Sequence, residues 1–137
     1  MKRRVMMAGI AAASIPRLAF ATLPNITVFF DWGQADLKPS AAEAIKVVCA
    51  DYKRQAIASI TLQGHTDRSE PDRLELSELR AAKVRDVVAG EGISPSVVAV
   101  IGYGDERPLV PTAEGVRSQE NRRVEMLIVW AQSPQQA

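Results

Sequence analysis

The chain has 137 residues, 47% of them hydrophobic and 24% charged, with 17 Lys and Arg against 16 Asp and Glu. That is enough apolar chain for one core and one domain. A near-neutral balance without a dominant basic patch argues against a nucleic-acid partner, and a single histidine with a single cysteine argues against a disulfide framework or a metal centre built on those ligands.

Lys2, Arg3 and Arg4 open the chain, followed by an apolar stretch over residues 5–13 that is too short to span a bilayer. Ala19-Phe20-Ala21 then supplies a small-x-small cleavage site. Residues 1–21 are therefore expected to be a secretory signal. The general secretory route is favoured, because the residues around Arg3-Arg4 fit a twin-arginine signal poorly; a retained N-terminal anchor is the alternative. No cysteine follows the expected cleavage site, which argues against a lipid anchor on the new N-terminus. Cleavage leaves 116 residues, removes four basic groups and turns the balance acidic by three. No second long apolar run follows, so a periplasmic protein without a membrane span in its mature chain is expected.

Ile26, Val28 and Phe30 alternate with Thr27 and Phe29, which predicts a strand ending at Asp31. A loop over 32–38 leads to a helix opening at Pro39-Ser40, with Ser40 and Glu43 at capping-box spacing, and running to about residue 53. A second strand covers Ile57–Gly64. Asp72 with Glu75 signals the start of a second helix, which ends at the Gly90 and Gly92 breakers. Ser94-Pro95 is a turn, residues 97–101 a third strand, and Gly102-Tyr103-Gly104 a flexible turn. Residues 108–121 read mostly as loop with room for one helical turn, and Arg123–Trp130 as the last strand. The domain should span 22–131, and the polar residues 132–137 should be a disordered tail. The order βαβαβ plus a final strand predicts a sheet covered on one face by helices.

One residue stands out. With the second helix set at 100° per residue, Leu76, Ala81, Val84, Val87 and Val88 share a sector, and Arg80 lies in its middle. An arginine on a core-facing stripe is costly unless paired. Either it snorkels to the rim or pairs internally, with Asp67 at the preceding strand end as the candidate, or Arg80 and Asp67 together hold a ligand carrying both charges. Removing Arg80 from an apolar face is expected to leave the fold stable.

Signals for catalysis are thin. His65 and Asp67, two apart on a strand end, suit neither a triad nor a metal site without further ligands, so His65 reads as structural. Gly102-x-Gly104 opens no helix and so lacks the context of a phosphate cradle. Cys49 shares a helical face with Ala41, Ile45, Val48 and Tyr52 and reads as core. Asn121 is placed to cap the loop before the last strand, with Arg122-Arg123 adding positive potential beside Arg80. The chain is expected not to be an enzyme and to need no cofactor or metal.

Five segments in order resemble the OmpA-like peptidoglycan-binding domain family: Val28-Phe29-Phe30-Asp31, Gly64-His65-Thr66-Asp67, Leu76-Ser77-x-x-Arg80-Ala81, Gly102-Tyr103-Gly104, and Glu114-Gly115-Val116-Arg117 leading into Asn121-Arg122-Arg123-Val124-Glu125. The resemblance covers nearly all of the expected mature chain. It implies an α+β fold: βαβαβ plus a final strand, with a mixed four-stranded sheet and helices packed on one face. It further implies non-catalytic binding of peptidoglycan stem peptides through diaminopimelate in the cell envelope. By the same resemblance Asp67 would hold an ammonium and Arg80 a carboxylate of that ligand. Asp31 and Arg122 would line the pocket with Thr66, and Asn121 and Arg73 are further candidates. An outer-membrane association would come through partner proteins of the envelope.

The chain departs from the family pattern between Asp67 and Leu76. That segment is about two residues shorter, carries Glu70-Pro71 where a glycine turn is common, and has Arg73 where asparagine is frequent. A shortened rim with an added charge implies altered ligand binding. The alternative function is therefore a fold relative that has lost wall binding and serves as an envelope interaction or structural subunit.

Overall fold

A computed structural model describes residues 24–52 and 57–130. The expected signal at 1–21 and tail at 132–137 lie outside the described residues. Four strands, β1 (Pro24–Phe29), β2 (Ile57–Gly64), β3 (Val98–Gly102) and β4 (Arg123–Trp130), form one sheet in the order β1-β4-β2-β3. β4 is antiparallel to both of its neighbours, and β2 and β3 run parallel. Two helices, α1 (Pro39–Tyr52) and α2 (Arg73–Gly90), complete the α+β domain, with short 3-10 turns at Pro95–Val97 and Gln119–Asn121. The expected mixed sheet and element order are observed.

Period-two alternation decides which face of the sheet is covered. Val28, Ile60, Leu62, Val124, Met126 and Ile128 point to one face and are buried against Ile45 and Cys49 of α1 and Ala81, Val84 and Val88 of α2. β1 stops at Phe29 rather than Asp31, yet Phe30 stays buried and its N–H donates to the Arg122 carbonyl at 2.8 Å. Two helix starts differ from expectation. α1 begins at Pro39, a first-turn position where the missing N–H costs nothing, so Ser40 already lies inside the helix. Asp72 precedes α2 but makes no side-chain cap, because its φ of 50° puts it in the left-handed region.

α2 lies unusually close to the sheet at its N-terminal end. A Cβ on Gly64 would sit 1.9 Å from the Ser77 carbonyl oxygen, and one on Gly102 would sit 2.8 Å from the Glu78 nitrogen. These two glycines face each other across the parallel pair. Ser77 fills the seam, accepting from Gly104 N–H at 2.9 Å while donating to the Leu74 carbonyl at 2.8 Å. This close approach carries Arg80, one turn further on, to the end of the sheet. There β1, β2 and β3 finish and β4 starts, since Phe29 pairs with Arg123 and Gly64 with both Gly102 and Val124.

Candidate functional site

Loops from all four strands converge at that end. Arg80 reaches into them with 0% exposure. Its guanidinium has five N–H groups, and every one has an acceptor. Nε donates to the Gln34 carbonyl at 2.8 Å. Nη1 donates to the His65 carbonyl at 3.0 Å and to Glu70 Oε1 at 2.9 Å. Nη2 donates to the Asp31 carbonyl at 3.1 Å and to Glu70 Oε2. The Phe30 ring lies below, 5.2 Å from the guanidinium carbon.

Glu70, also fully buried, accepts twice more: from Gly33 N–H at 2.7 Å and from Asp67 N–H at 3.0 Å. Its carboxylate therefore sits in a cradle of two backbone donors and one bidentate guanidinium, the geometry Arg suits best. The internal partner anticipated for Arg80 was Asp67. That pairing does not form; Glu70 takes Arg80, and Asp67 takes Arg122.

Asp67 is fully buried beside this cradle. Oδ1 accepts from the Ser69 N–H and hydroxyl at 2.9 and 2.7 Å, and Oδ2 from Ser118 N–H at 3.0 Å and Arg122 Nη1 at 2.9 Å. Burial alone would push its carboxyl up; the Ser118, Ser69 and Arg122 hydrogen bonds outweigh that and hold it below the ordinary carboxylate range. Arg122 also donates through Nε to the Phe30 carbonyl at 2.9 Å, and its side chain keeps 12% exposure, the one cation of the cluster that reaches the surface. Trp32 forms a rim over this side. Its indole N–H donates to Ser69 Oγ at 2.8 Å, and Arg117 stacks 4.3 Å above its ring.

The other expected site residues are placed as follows. The Asp31 carboxylate is not brought to the cluster: it is 65% exposed and pairs with Lys38 at 3.2 Å, so only its carbonyl serves Arg80. Thr66 is buried, its N–H bonded to the Gly104 carbonyl at 2.8 Å. Asn121 is buried and clasps Val110, accepting from its N–H and donating to its carbonyl, both at 2.8 Å. Arg73 bonds to no side chain of the Arg80–Asp67 cluster and ties down the turn at 68–72, donating to the Glu70 carbonyl at 3.0 Å and the Arg68 carbonyl at 2.7 Å. It also pairs with Asp105 at 3.1 Å and Glu114 at 2.6 Å, and holds the Glu114 carboxyl below its ordinary range. His65 is buried against Tyr103, ring centroids 5.5 Å apart, and burial with nearby Arg123 pushes it down to about 4. Among the described residues no group of three or more His, Cys, Asp or Glu could hold a metal ion, and no helix is long and apolar enough to cross a membrane.

The model of the OmpA family matches residues 29–122, which include every residue of this cluster. The chain belongs to the OmpA family. It is 35% identical over 109 residues to a peptidoglycan-associated lipoprotein of Pseudomonas aeruginosa, covering 77% of this chain and 64% of that one. It is 32% identical over 109 residues to an outer membrane protein of Gluconacetobacter diazotrophicus, covering 74% of this chain and 29% of that one. The chain thus spans about a third to two thirds of the length of the curated relatives it matches. Among solved structures, the C-terminal domain of Helicobacter pylori MotB has a TM-score of 0.69 at 19% identity, covering 81% of this chain and 88% of that one. The peptidoglycan-associated lipoprotein of Burkholderia pseudomallei has a TM-score of 0.63 at 19% identity, covering 76% and 90%. At such identity these two show the shared fold.

Within this OmpA-family domain, sequence reasoning missed Gly33, Ser69 and Ser118, which contribute backbone N–H groups that no side-chain pattern announces. It also read Glu70 only as part of an altered rim. The available signal was a carboxylate directly before Pro71, in a turn too short to carry it far from Arg80.

Proposed function

We propose that this OmpA-family domain is a non-catalytic wall-binding module of the cell envelope. It holds a peptidoglycan stem peptide through diaminopimelate at the Arg80–Asp67–Arg122 end of the sheet. One observation carries this reading: the cradle of Gly33 N–H, Asp67 N–H and the Arg80 fork is built for a carboxylate, and it lies beside a second anion, Asp67, whose present cation Arg122 a ligand ammonium would have to replace. A ligand with both charges on one centre matches that juxtaposition. The likeness to peptidoglycan-associated lipoproteins supports the same assignment. The domain would work in the periplasm after loss of residues 1–21, meeting the outer membrane through partner proteins; mass spectrometry of the periplasmic fraction should find an N-terminus at Thr22. The test of binding is co-sedimentation of the folded protein with purified sacculi. Sedimentation with diaminopimelate-type sacculi and not with lysine-type sacculi is expected, and loss of that difference refutes the ligand assignment.

A second reading is favoured by Glu70. Because this side chain already fills the cradle, the domain is a fold relative that no longer grips the wall and serves as an envelope interaction subunit. No sedimentation with either type of sacculus would support it.

A further inference from the structure

We infer that Glu70 is an internal stand-in for the ligand's carboxylate and sets what the site accepts. An external carboxylate enters the cradle only when the turn at 68–72 withdraws its own. This rests on the reading above that the Arg80 end of the sheet is the ligand site, and it adds the residue that competes for it.

Three features of the geometry support the competition. The Arg80 fork does not depend on Glu70 for its position: Nε, Nη1 and Nη2 each donate to a backbone carbonyl, of Gln34, His65 and Asp31 respectively. Without Glu70, one N–H on each Nη would still aim at the same place, beside the N–H groups of Gly33 and Asp67. The cradle is therefore preorganised by the scaffold, and a carboxylate from any source meets the same four donors.

The element that delivers Glu70 is also poorly anchored by packing. Arg68 and Ser69 are half-buried, Pro71 and Asp72 are exposed, and Glu70 is the turn's one buried side chain. What ties the turn from outside is a set of polar contacts: Arg73 on the Glu70 and Arg68 carbonyls, Gly115 N–H on the Arg68 carbonyl, the Arg68 side chain on Thr112, Asp105 and Glu114, and Trp32 on Ser69. An intramolecular group on a short tether acts at an effective concentration of about millimolar or more. A free ligand competing with it binds correspondingly more weakly.

The experiment uses Glu70→Gln and Glu70→Ala in the whole domain. Glu70→Gln keeps the shape and removes the charge, so meso-diaminopimelate should bind it at least about tenfold more tightly than wild type. Glu70→Ala opens the cradle. Sodium formate and acetate should raise its melting temperature saturably, relative to sodium chloride of equal ionic strength. Neither wild type nor the double variant Glu70→Ala/Arg80→Met should respond. Refolding Glu70→Ala in formate gives the same reading if the variant is only marginally folded. Equal sedimentation of wild type and Glu70→Gln with sacculi overturns the stand-in role and leaves wall binding intact. Gain in Glu70→Gln over a non-sedimenting wild type supports the stand-in and removes wall binding by the natural chain. No response of either variant to diaminopimelate, formate or acetate overturns the inference whatever the wild type does.

Discussion

Replacing Arg80 should unfold much of what the close helix–sheet approach builds. Arg80→Met keeps the apolar stem and removes all five N–H donors. The Glu70 carboxylate, with 0% exposure, would then keep only the Gly33 and Asp67 N–H groups, and the Asp31, Gln34 and His65 carbonyls would each lose a donor. Breaking a buried ion pair from one side typically costs about 3–5 kcal/mol. That is a large share of the roughly 5–15 kcal/mol that holds an ordinary domain together. In urea, with a slope of about 1–3 kcal/mol per molar, the midpoint should fall by roughly 2 M, read by far-ultraviolet circular dichroism. The expectation from helical periodicity alone, that losing this charge leaves stability intact, is reversed here because Glu70 stays behind. The double variant Arg80→Met/Glu70→Gln should recover a substantial part of the loss, since neither charge is then stranded. A drop of less than about 1 kcal/mol in Arg80→Met, or strict additivity in the double variant, would refute the argument that the pair is a single buried unit.

Three further outcomes follow from the geometry. His65 stays neutral down to about pH 4 when folded but protonates below about pH 6.5 when unfolded, so the unfolded chain binds the extra proton. Stability should therefore fall by up to about 3 kcal/mol as pH drops from about 6.5 to about 4, and His65→Phe should flatten that slope in denaturant titrations at pH 7 and 5. Asp67 has its folded carboxyl below the ordinary range, so its contribution is present above about pH 4 and lost as pH falls through the folded value. Asp67→Asn should cost about 1–3 kcal/mol at pH 7 and unfold less steeply in acid, as acid titration of circular dichroism would reveal. Gly64→Ala drives a methyl to 1.9 Å from the Ser77 carbonyl and should cost about 3 kcal/mol or more, whereas Gly90→Ala, with no atom within 4 Å, should be neutral or stabilising in thermal melts.

The fold was legible wherever burial follows a simple period. Alternation in β2 and β4 and the Leu76 sector of α2 correspond to the observed core faces, because each element presents one side to one sheet–helix layer. Element starts were less legible. Asp72 looks like a cap but takes a left-handed backbone, imposed where a short turn must reverse into a helix. At the site, periodicity exposed Arg80 as anomalous with Asp67 at the preceding strand end, and the family resemblance added Thr66 and Arg122. The partners were not readable in the same way. Which carboxylate meets which guanidinium depends on how the 68–72 turn folds back, and half of the donors to Glu70 are backbone N–H groups of Gly33 and Asp67. Asp31 was misread for the related reason that its carbonyl and its side chain point to different neighbours.

The polarity of the sheet also governs how this domain can be attached to anything else. β1 enters at Pro24 opposite Leu127, so the first described strand begins where the last one is finishing, and the Arg80 cluster lies at the opposite pole. A strand of eight residues spans roughly 25 Å. Pro24 and Trp130, the two ends of the described sheet, therefore both lie at the far pole, like the foot of a cup whose mouth is the cluster. A tether, fusion or surface-immobilisation tag joined directly at Pro24 or Trp130 is held a strand's length from the cradle, so wild type and variants can be compared on a sensor surface without the linkage shading the site.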